Sequence, residues 1–228
     1  MSERRPNKRP EDDHPGSQHK EPRDGDQVED TERPASVPDP FHERERPLRP
    51  QVWIASLADY NAGILTGAWV DAAVEGDELA AAAYRIVAGS VTPGAEEWAI
   101  FDHDEFGEWQ PGEYESLELV ARVARGIQEH GAAFAAWADL VEGDTGRLDS
   151  FSEAYLGHFV SPEAWAEEVM SDLGLTGENG ELTKDIPESL RPYVSIDYGM
   201  WARDCFLEGS IYFSEDPGGG VWVFDQNV

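Results

Sequence analysis

The four consecutive residues Asp102-His103-Asp104-Glu105 are the densest group of potential metal ligands in the 228-residue sequence. Imidazole and carboxylate groups bind divalent metals, so this group could support a carboxylate-dependent metal hydrolase. Consecutive residues, however, point in different directions, and no second His or Cys stands nearby at a helical or hairpin ligand spacing. The pattern is more typical of a solvated strand end or loop, and the hydrolase is kept as an alternative.

The other reactive residue types give weaker indications. His130 precedes Gly131 at a predicted helix end, where its charge would favour the helix dipole. Cys205, the only cysteine, follows Trp201 by four residues on one helix face, which is typical of a buried, inert thiol. Residues 217–220 (Pro-Gly-Gly-Gly) lack the lysine and following helix of a phosphate loop and predict a hairpin turn. No G-x-S-x-G motif occurs. The sequence therefore predicts no enzyme and no cofactor.

The charge of the chain is its strongest feature. It has 17 basic and 47 acidic residues, and residues 51–228 hold 7 of the basic and 34 of the acidic ones. Direct binding of nucleic acid is excluded, because Lys and Arg must displace the counterions of phosphates. An anionic membrane surface is disfavoured for the same reason, and no stretch approaches 18 apolar residues. A single cysteine and the absence of an apolar segment behind the basic N-terminus favour a cytoplasmic protein.

Three explanations of the acidic charge stay open at this point. Halophilic solubility favours acid-rich surfaces with little Lys, although the first 50 residues keep ten basic residues. Carboxylate clusters could instead bind cations. The third explanation is imitation of a polyanion, in which carboxylates take the places of DNA phosphates. The carboxylates of a dimer would suffice for roughly 115 Å of duplex, at one charge per about 1.7 Å of axis.

The elements that position these residues are predicted from periodicity and turn residues. Residues 1–50 hold nine of the 15 prolines and charges of both signs, which predicts a disordered leader. Strands at both ends of the body and helices between them indicate an α+β protein. We expect an N-terminal α+β domain over 51–112, a central helical domain over 113–159 and a C-terminal α+β domain over 160–228.

Individual elements follow from the same patterns. Apolar runs predict strands, i, i+3, i+7 spacing predicts helices, and capping residues at Ser150 and at Ser161-Pro162 mark helix starts. The predicted strands are 52–57, 64–70, 98–101, 210–214 and 221–225, and the predicted helices are 77–87, one from 117, one through 134–141, one from 151, 162–173 and 196–208.

Several sequence blocks are specific when they are taken together. They are VWIASLADYNAG at 52–63, GAWVD at 67–71, EEWAIFDH at 96–103 with FG at 106–107, YESL at 114–117, AYLG at 154–157, IPESLRPY at 186–193, YGMWARD at 198–204 and PGGGVWVF at 217–224. In this combination the chain resembles the ArdA antirestriction family. The blocks occur in the family's order from about 51 to 228, and no block is missing. Only the 50-residue leader departs from the pattern, because family members begin near the equivalent of Val52.

This resemblance implies both a structure and a function. Family members are elongated, three-part α+β proteins that dimerise through their C-terminal part, and their acidic surface imitates bent B-form DNA. They occupy the DNA-binding groove of type I restriction–modification enzymes and so protect incoming plasmids, transposons or phage DNA. The resemblance therefore implies a homodimer without cofactor or turnover, whose partner is the DNA-binding core of such an enzyme.

The carboxylates expected to imitate phosphates lie in stretches without Lys or Arg, over 52–84, 86–121 and 148–183. An alternative function is a mimic directed at another DNA-binding protein, such as a nucleoid protein or a topoisomerase. The acids expected to contact the partner are Asp59, Asp71, Glu96, Glu97, Asp102, Asp104, Glu105, Glu113, Glu115, Glu163, Glu167 and Asp172.

Overall fold

The structure is a computed structural model, which describes residues 47–176, 182 and 186–228. The predicted leader therefore lies outside the described residues except at 47–50. The described residues contain eight α-helices and two three-stranded antiparallel sheets, so the α+β class is confirmed. No helix among them is long and apolar enough to cross a bilayer.

The described chain contains six strands and eight helices, four of which follow one another in the middle of the chain. The strands are β1 (Gln51–Ser56), β2 (Gly67–Asp71), β3 (Trp98–Asp104), β4 (Tyr155–Phe159), β5 (Ile211–Glu215) and β6 (Val221–Asp225). The helices are α1 (Leu57–Asn61), α2 (Gly76–Ala88), α3 (Leu117–His130), α4 (Ala132–Leu140), α5 (Thr145–Leu148), α6 (Phe151–Ala154), α7 (Pro162–Asp172) and α8 (Tyr198–Leu207), with a 3₁₀ turn at Arg191–Tyr193.

The first sheet has the strand order β2-β1-β3 and presents one face to the core. Successive side chains of a strand point to opposite faces, so Val52 and Ile54 of β1 share one face. Both are fully buried in a cluster that includes Leu79 and Ala83 of α2. Trp53 lies between them in sequence and is only partly buried. The opposite face of this sheet is therefore left to solvent.

The helical middle of the chain packs around α3 and α4. Leu117, Val120, Ala124 and Ile127 are buried along one side of α3, as their spacing predicts. Trp137 of α4 is fully buried, and its indole Nε1–H donates a 3.1 Å hydrogen bond to the Arg147 carbonyl. These helices extend the first core from the first sheet toward the second.

The second sheet has the order β4-β6-β5 and is covered on both faces. Trp222 and Phe224 of β6 belong to the first core, whereas Val221 and Val223 belong to a second core with residues of α7 and α8. All four side chains are buried, because alternate residues of β6 serve opposite faces. In the second core, Trp165 of α7 stacks on Trp201 of α8, with ring centroids 5.1 Å apart.

Strand β4 corrects one prediction, because it lies inside the stretch 113–159 that was predicted as helical. Its pairing partner β6 follows about 65 residues later, so no local pattern specifies it. The strand also passes close to the predicted hairpin turn, which the structure confirms between β5 and β6. A Cβ on Gly220 of that turn would lie 2.9 Å from the His158 ring, so only glycine fits there.

The first core does not stop at residue 112, because it includes residues of the first sheet, α2, α3 and α4. The α2–α3 packing crosses the expected boundary directly. The division into three domains and an elongated arrangement stay predictions.

Candidate partner-binding surface

Three of the predicted acids share the solvent face of the first sheet. Asp71 of β2 and Asp104 of β3 both pair with Gln51, the central residue of one cross-strand row. Asp102 lies one row further along, where it pairs with Trp53. All three carboxylate residues are exposed. The sheet therefore holds three negative charges on a rigid backbone rather than on a loop.

The backbone geometry fixes the spacing of these charges. Strands lie about 4.8 Å apart, so Asp71 and Asp104 are separated by roughly 10 Å across β1. Asp102 and Asp104 are two residues apart on one strand, which corresponds to roughly 7 Å. A DNA strand carries a charge every 3.4 Å or so of its axis. The spacing of the three carboxylates is wider than this, so they correspond to separate phosphate positions and not to a continuous row of phosphates.

A second set of acids flanks β3. Glu96 and Glu97 directly precede the strand, and the Glu97 carbonyl accepts a 3.1 Å hydrogen bond from the Leu57 N–H. The Glu113 carbonyl accepts a 2.9 Å hydrogen bond from the Ile100 N–H, so this residue runs beside the start of β3. The three carboxylate residues are exposed. They extend the negative surface from the sheet face around the edge of β3.

The pKa of Tyr114 reflects the negative charge of the acids that flank β3. Its side-chain hydrogen bond with Glu113, together with partial desolvation and the charges of Glu113 and Glu97, raises the pKa of the Tyr114 phenol. The phenol is itself largely exposed. The local field is therefore negative even at a solvated position, as expected for carboxylates without nearby cations.

The third set of acids lies on α7, at the second core. Ser161 caps this helix by accepting a hydrogen bond of 3.3 Å from the Ala164 N–H. Glu163 and Glu167 follow at a spacing of four residues and share a helix side, whereas Asp172 lies on a different side. Glu163 also lines a pocket of about 470 Å³ together with Arg203. Helix α7 packs against α8, β4 and β6, and a common surface of its acids with the sheet-face acids stays a prediction.

Asp59 corrects the predicted set, because its side chain is fully buried. Its carboxylate accepts hydrogen bonds from the backbone N–H groups of Val91 (3.1 Å) and Thr92 (2.9 Å). Burial alone would raise its pKa, but side-chain hydrogen bonds from Thr66, Thr92 and Ser90 and the Val91 N–H outweigh this and hold the pKa well below its ordinary value. Asp59 is a structural carboxylate that no partner can reach.

Glu105 and Glu115 are intermediate cases, since both are only partly exposed. Glu105 has a left-handed backbone conformation, with φ of 59°, and accepts a hydrogen bond from the Arg49 N–H. Glu115 accepts a 3.2 Å hydrogen bond from the Ser116 N–H, directly before α3. Each of these carboxylates has an internal role, and we rank both below the exposed acids as partner contacts.

The sequence matches the model of a known protein family. The model described as "Antirestriction protein (ArdA)" matches residues 52–217, which include all twelve predicted acids. The chain belongs to the ArdA antirestriction protein family. A comparison with curated proteins gives no match.

Three arginines of this ArdA-family chain have internal partners, whereas Arg85 of α2 lines a pocket together with Trp69 and Asp71 of β2. Arg122 of α3 forms an ion pair with Asp149, and Arg125 forms one of 3.2 Å with Glu75. Arg147 lies over the Trp137 ring, 5.5 Å from its centroid. Within the described part of the chain, no ion pair reaches the sheet-face acids or those that flank β3.

The segment Asp102-His103-Asp104-Glu105 does not assemble a ligand set. Asp102 and Asp104 project from the solvent face, whereas His103 pairs with the buried Val52 and packs edge-on against Phe106 at 6.0 Å. Among the residues that the structure describes, no three His, Cys, Asp or Glu side chains are grouped so that they could hold a metal ion. The side-chain directions thus give the metal hydrolase no support.

Sequence reasoning missed two features of this surface. The first is the burial of Asp59, for which the sequence contains one signal. Ser56 and Asp59 form the S-x-x-D pattern of a helix start. Ser56 indeed caps α1, and its hydroxyl accepts a hydrogen bond from the Asp59 N–H. The pair of the half-buried Trp53 and the exposed Trp69 was interpreted as apolar strand sequence, and only the register of β1 and β2 reveals that both residues lie beside the acids.

Proposed function

We propose that this chain inhibits type I restriction–modification enzymes by imitating B-form DNA. Its exposed carboxylates take the places of backbone phosphates and occupy the DNA-binding groove of the enzyme. Incoming mobile DNA would thereby be protected from cleavage. The proposal specifies a target and a mechanism for the antirestriction function that membership of the family implies.

The observation that best supports the proposal is the solvent face of the first sheet. Asp71, Asp102 and Asp104 stand there on paired strands, exposed and without an ion pair to any residue that the structure describes. Leaving carboxylates unpaired on a rigid surface raises the electrostatic self-energy of the fold. This cost is understandable if the cations that neutralise the charges belong to a partner.

A DNA-binding groove is the partner surface that fits such charges. Its Arg and Lys side chains bind phosphates through long-range, salt-sensitive electrostatics. Phosphate contacts contain no direct sequence information, whereas base edges do. A mimic of the backbone alone should therefore inhibit type I enzymes that recognise different target sequences.

We further propose that the protein acts in the cytoplasm as a homodimer and binds its target stoichiometrically. In this mechanism no bond is made or broken in the protein, and no cofactor is required. The inhibitor needs only to exclude DNA from the groove, so inhibition should be reversible by raising the salt concentration or the concentration of DNA.

A competition titration tests this function. A purified type I enzyme is loaded with a labelled duplex containing its target site, and the protein is added without ATP at roughly 50 and 200 mM salt. We expect displacement near stoichiometry at the lower salt and much weaker displacement at the higher salt. Equal displacement at both concentrations would contradict an electrostatic mimic.

The same titration separates the alternatives. A folded protein that fails to displace DNA from type I enzymes, but displaces it from a nucleoid protein or a topoisomerase, is a mimic with another target. A protein that displaces DNA from neither, and unfolds when salt is removed, uses its acidic surface for solubility at high salt. Thermal unfolding at each salt concentration provides this second measurement.

A further inference from the structure

Two tryptophans lie among the acids of the first sheet's solvent face. Trp53 of β1 pairs with Trp69 of β2 across the sheet, and their ring centroids are 5.9 Å apart at an interplanar angle of 67°. Trp69 leaves 44% of its surface exposed, although it is one of the largest apolar side chains in the protein. An imitation of phosphates by charge alone does not require exposed indoles.

The register arranges the indoles and the carboxylates in adjacent rows. Asp102, Trp53 and Trp69 form one row across the three strands, and Asp104, Gln51 and Asp71 form the next. Residues in adjacent rows of one face are within reach of long side chains. A cation placed over the indoles therefore meets carboxylates on both sides of β1.

Gly67 allows Trp53 to lie close to the sheet. A Cβ at this position would come within 2.9 Å of the Trp53 ring and within 2.8 Å of the Ala55 Cβ. The glycine thus leaves the space that the Trp53 ring occupies beside Trp69. The ring pair forms part of a defined surface and is not a chance exposure of one side chain.

Indole faces beside carboxylates favour arginine over lysine. A guanidinium group is planar, stacks on aromatic rings and pairs with carboxylates in a fork geometry, whereas an ammonium group is a compact, strongly hydrated charge. The chain contains an internal example, because Arg147 lies over the Trp137 ring. Arginine is also the cation that is enriched at interface positions of high binding energy.

We propose that Trp53, Trp69 and the neighbouring Asp71 and Asp102 form a binding site for an arginine side chain of the partner. The inference rests on the proposed function in one respect: the partner is a protein that contacts DNA backbone. It goes beyond that function because the surface then distinguishes between the two cations that bind phosphates. The complementarity of an anionic, aromatic face to guanidinium specifies the occupant.

The test uses the full chain and two simple probes, hexa-arginine and hexa-lysine peptides with blocked ends. Isothermal titration calorimetry at roughly 50 mM salt measures both affinities. We expect the wild-type protein to bind hexa-arginine about 5- to 30-fold more tightly, the range expected from cation–π energies. In Trp69→Ala the ratio of the two affinities should fall close to one, because the affinity for hexa-arginine decreases while the affinity for hexa-lysine changes little.

Two further variants control for folding and for general aromatic contacts. Trp69→Phe keeps an aromatic partner for Trp53 and should keep part of the arginine preference. Tyr193→Ala removes an aromatic residue that is 84% exposed in the 3₁₀ turn and should leave the preference unchanged. Thermal unfolding establishes that each variant is folded before its affinities are compared.

The outcomes separate this inference from the proposed function. Equal affinity of the wild-type protein for both peptides, or an unchanged preference in a folded Trp69→Ala variant, overturns the arginine site even if type I enzymes are displaced from DNA. A preference that depends on Trp69 supports the site even if those enzymes are not displaced, in which case only the proposed target is wrong.

Discussion

The carboxylate of Asp59 accepts a 2.9 Å hydrogen bond from the backbone N–H of Thr92, 33 residues later in the chain. This bond fastens α1 to the connection between α2 and β3. Glu96 and Glu97 follow in the same connection, directly before β3. A buried acid thus fixes the segment that presents two exposed ones, and the structural role of Asp59 is distinct from the role of the acids around it.

We predict that Asp59→Asn lowers the thermal midpoint of unfolding by several degrees at pH 7. The amide would replace one acceptor oxygen with an NH₂ group that faces the backbone donors of Val91 and Thr92. Glu168→Gln, an exposed change on α7, is the matched control and should leave the midpoint nearly unchanged. Differential scanning calorimetry of the three proteins measures the effect.

The pKa of Asp59 also predicts how this difference depends on pH. Its pKa is lower in the folded protein than in the unfolded chain, so its stabilising contribution is complete above the unfolded value near 4. The contribution is lost as the pH falls from there through the lower, folded pKa. The wild-type protein should therefore lose its advantage over Asp59→Asn in acid. A difference in unfolding midpoint between the two proteins that stays constant from pH 7 to pH 2 would contradict a lowered pKa of Asp59.

Local patterns predicted the helices well because their information is local. The buried positions of α3 recur at helical spacing, and Ser161-Pro162 specifies the start of α7 by hydrogen bonding and by a fixed φ angle. The turn after β5 was likewise predictable from its glycines. Each of these predictions depends on residues within one or two turns of chain.

Features that depend on distant pairing were not predictable. Strand β4 exists because β6 lies beside it, and the five residues Tyr155–Phe159 contain no strong strand pattern. In the same way, the sequence predicted both Asp59 and Asp71 as acids that contact the partner. Only the fold separates them, by burying the first among backbone donors and exposing the second at the end of β2.

We predict that Gly126→Ala destabilises the packing of α4 on α3. An added Cβ would overlap with the Phe134 ring, which is buried and also contacts Phe151. Overpacking of this kind costs roughly 1–3 kcal/mol. Urea unfolding measures the change. Gly112→Ala is the control, because its Cβ would meet nothing closer than a Glu115 carboxylate oxygen at 3.7 Å. Equal stability of both variants would show that α4 adjusts freely.

Cys205 should react slowly with thiol reagents in the folded protein. Burial and the charges of Glu208 and Asp204 raise the pKa of the thiol and outweigh the hydrogen bond from Ser210, which lowers it. Only the thiolate is nucleophilic, so a raised pKa lowers the reactive fraction at pH 8. Ellman's reagent should modify the folded chain more slowly than the chain in 8 M urea. Equal rates in both conditions would contradict this environment for Cys205.

The last prediction concerns the number of charges rather than their identity. Asp71→Asn, Asp102→Asn and Asp104→Asn should each weaken displacement of DNA from a type I enzyme by less than about fivefold, since an exposed ion pair contributes about 0–1 kcal/mol. The triple variant should weaken it by roughly 10- to 100-fold, because neighbouring charges act on one bound groove. It should also reduce the dependence of displacement on salt.

A control with the same change in net charge makes this prediction specific to the sheet face. Glu129→Gln, Asp139→Asn and Glu153→Gln together remove three exposed acids from α3, α4 and α6. If the partner binds the sheet face, the control triple variant should lose much less affinity than the sheet-face triple variant at equal salt. Equal losses would indicate that the enzyme senses only the total charge of the protein, and the arrangement of acids on the first sheet would then have no part in recognition.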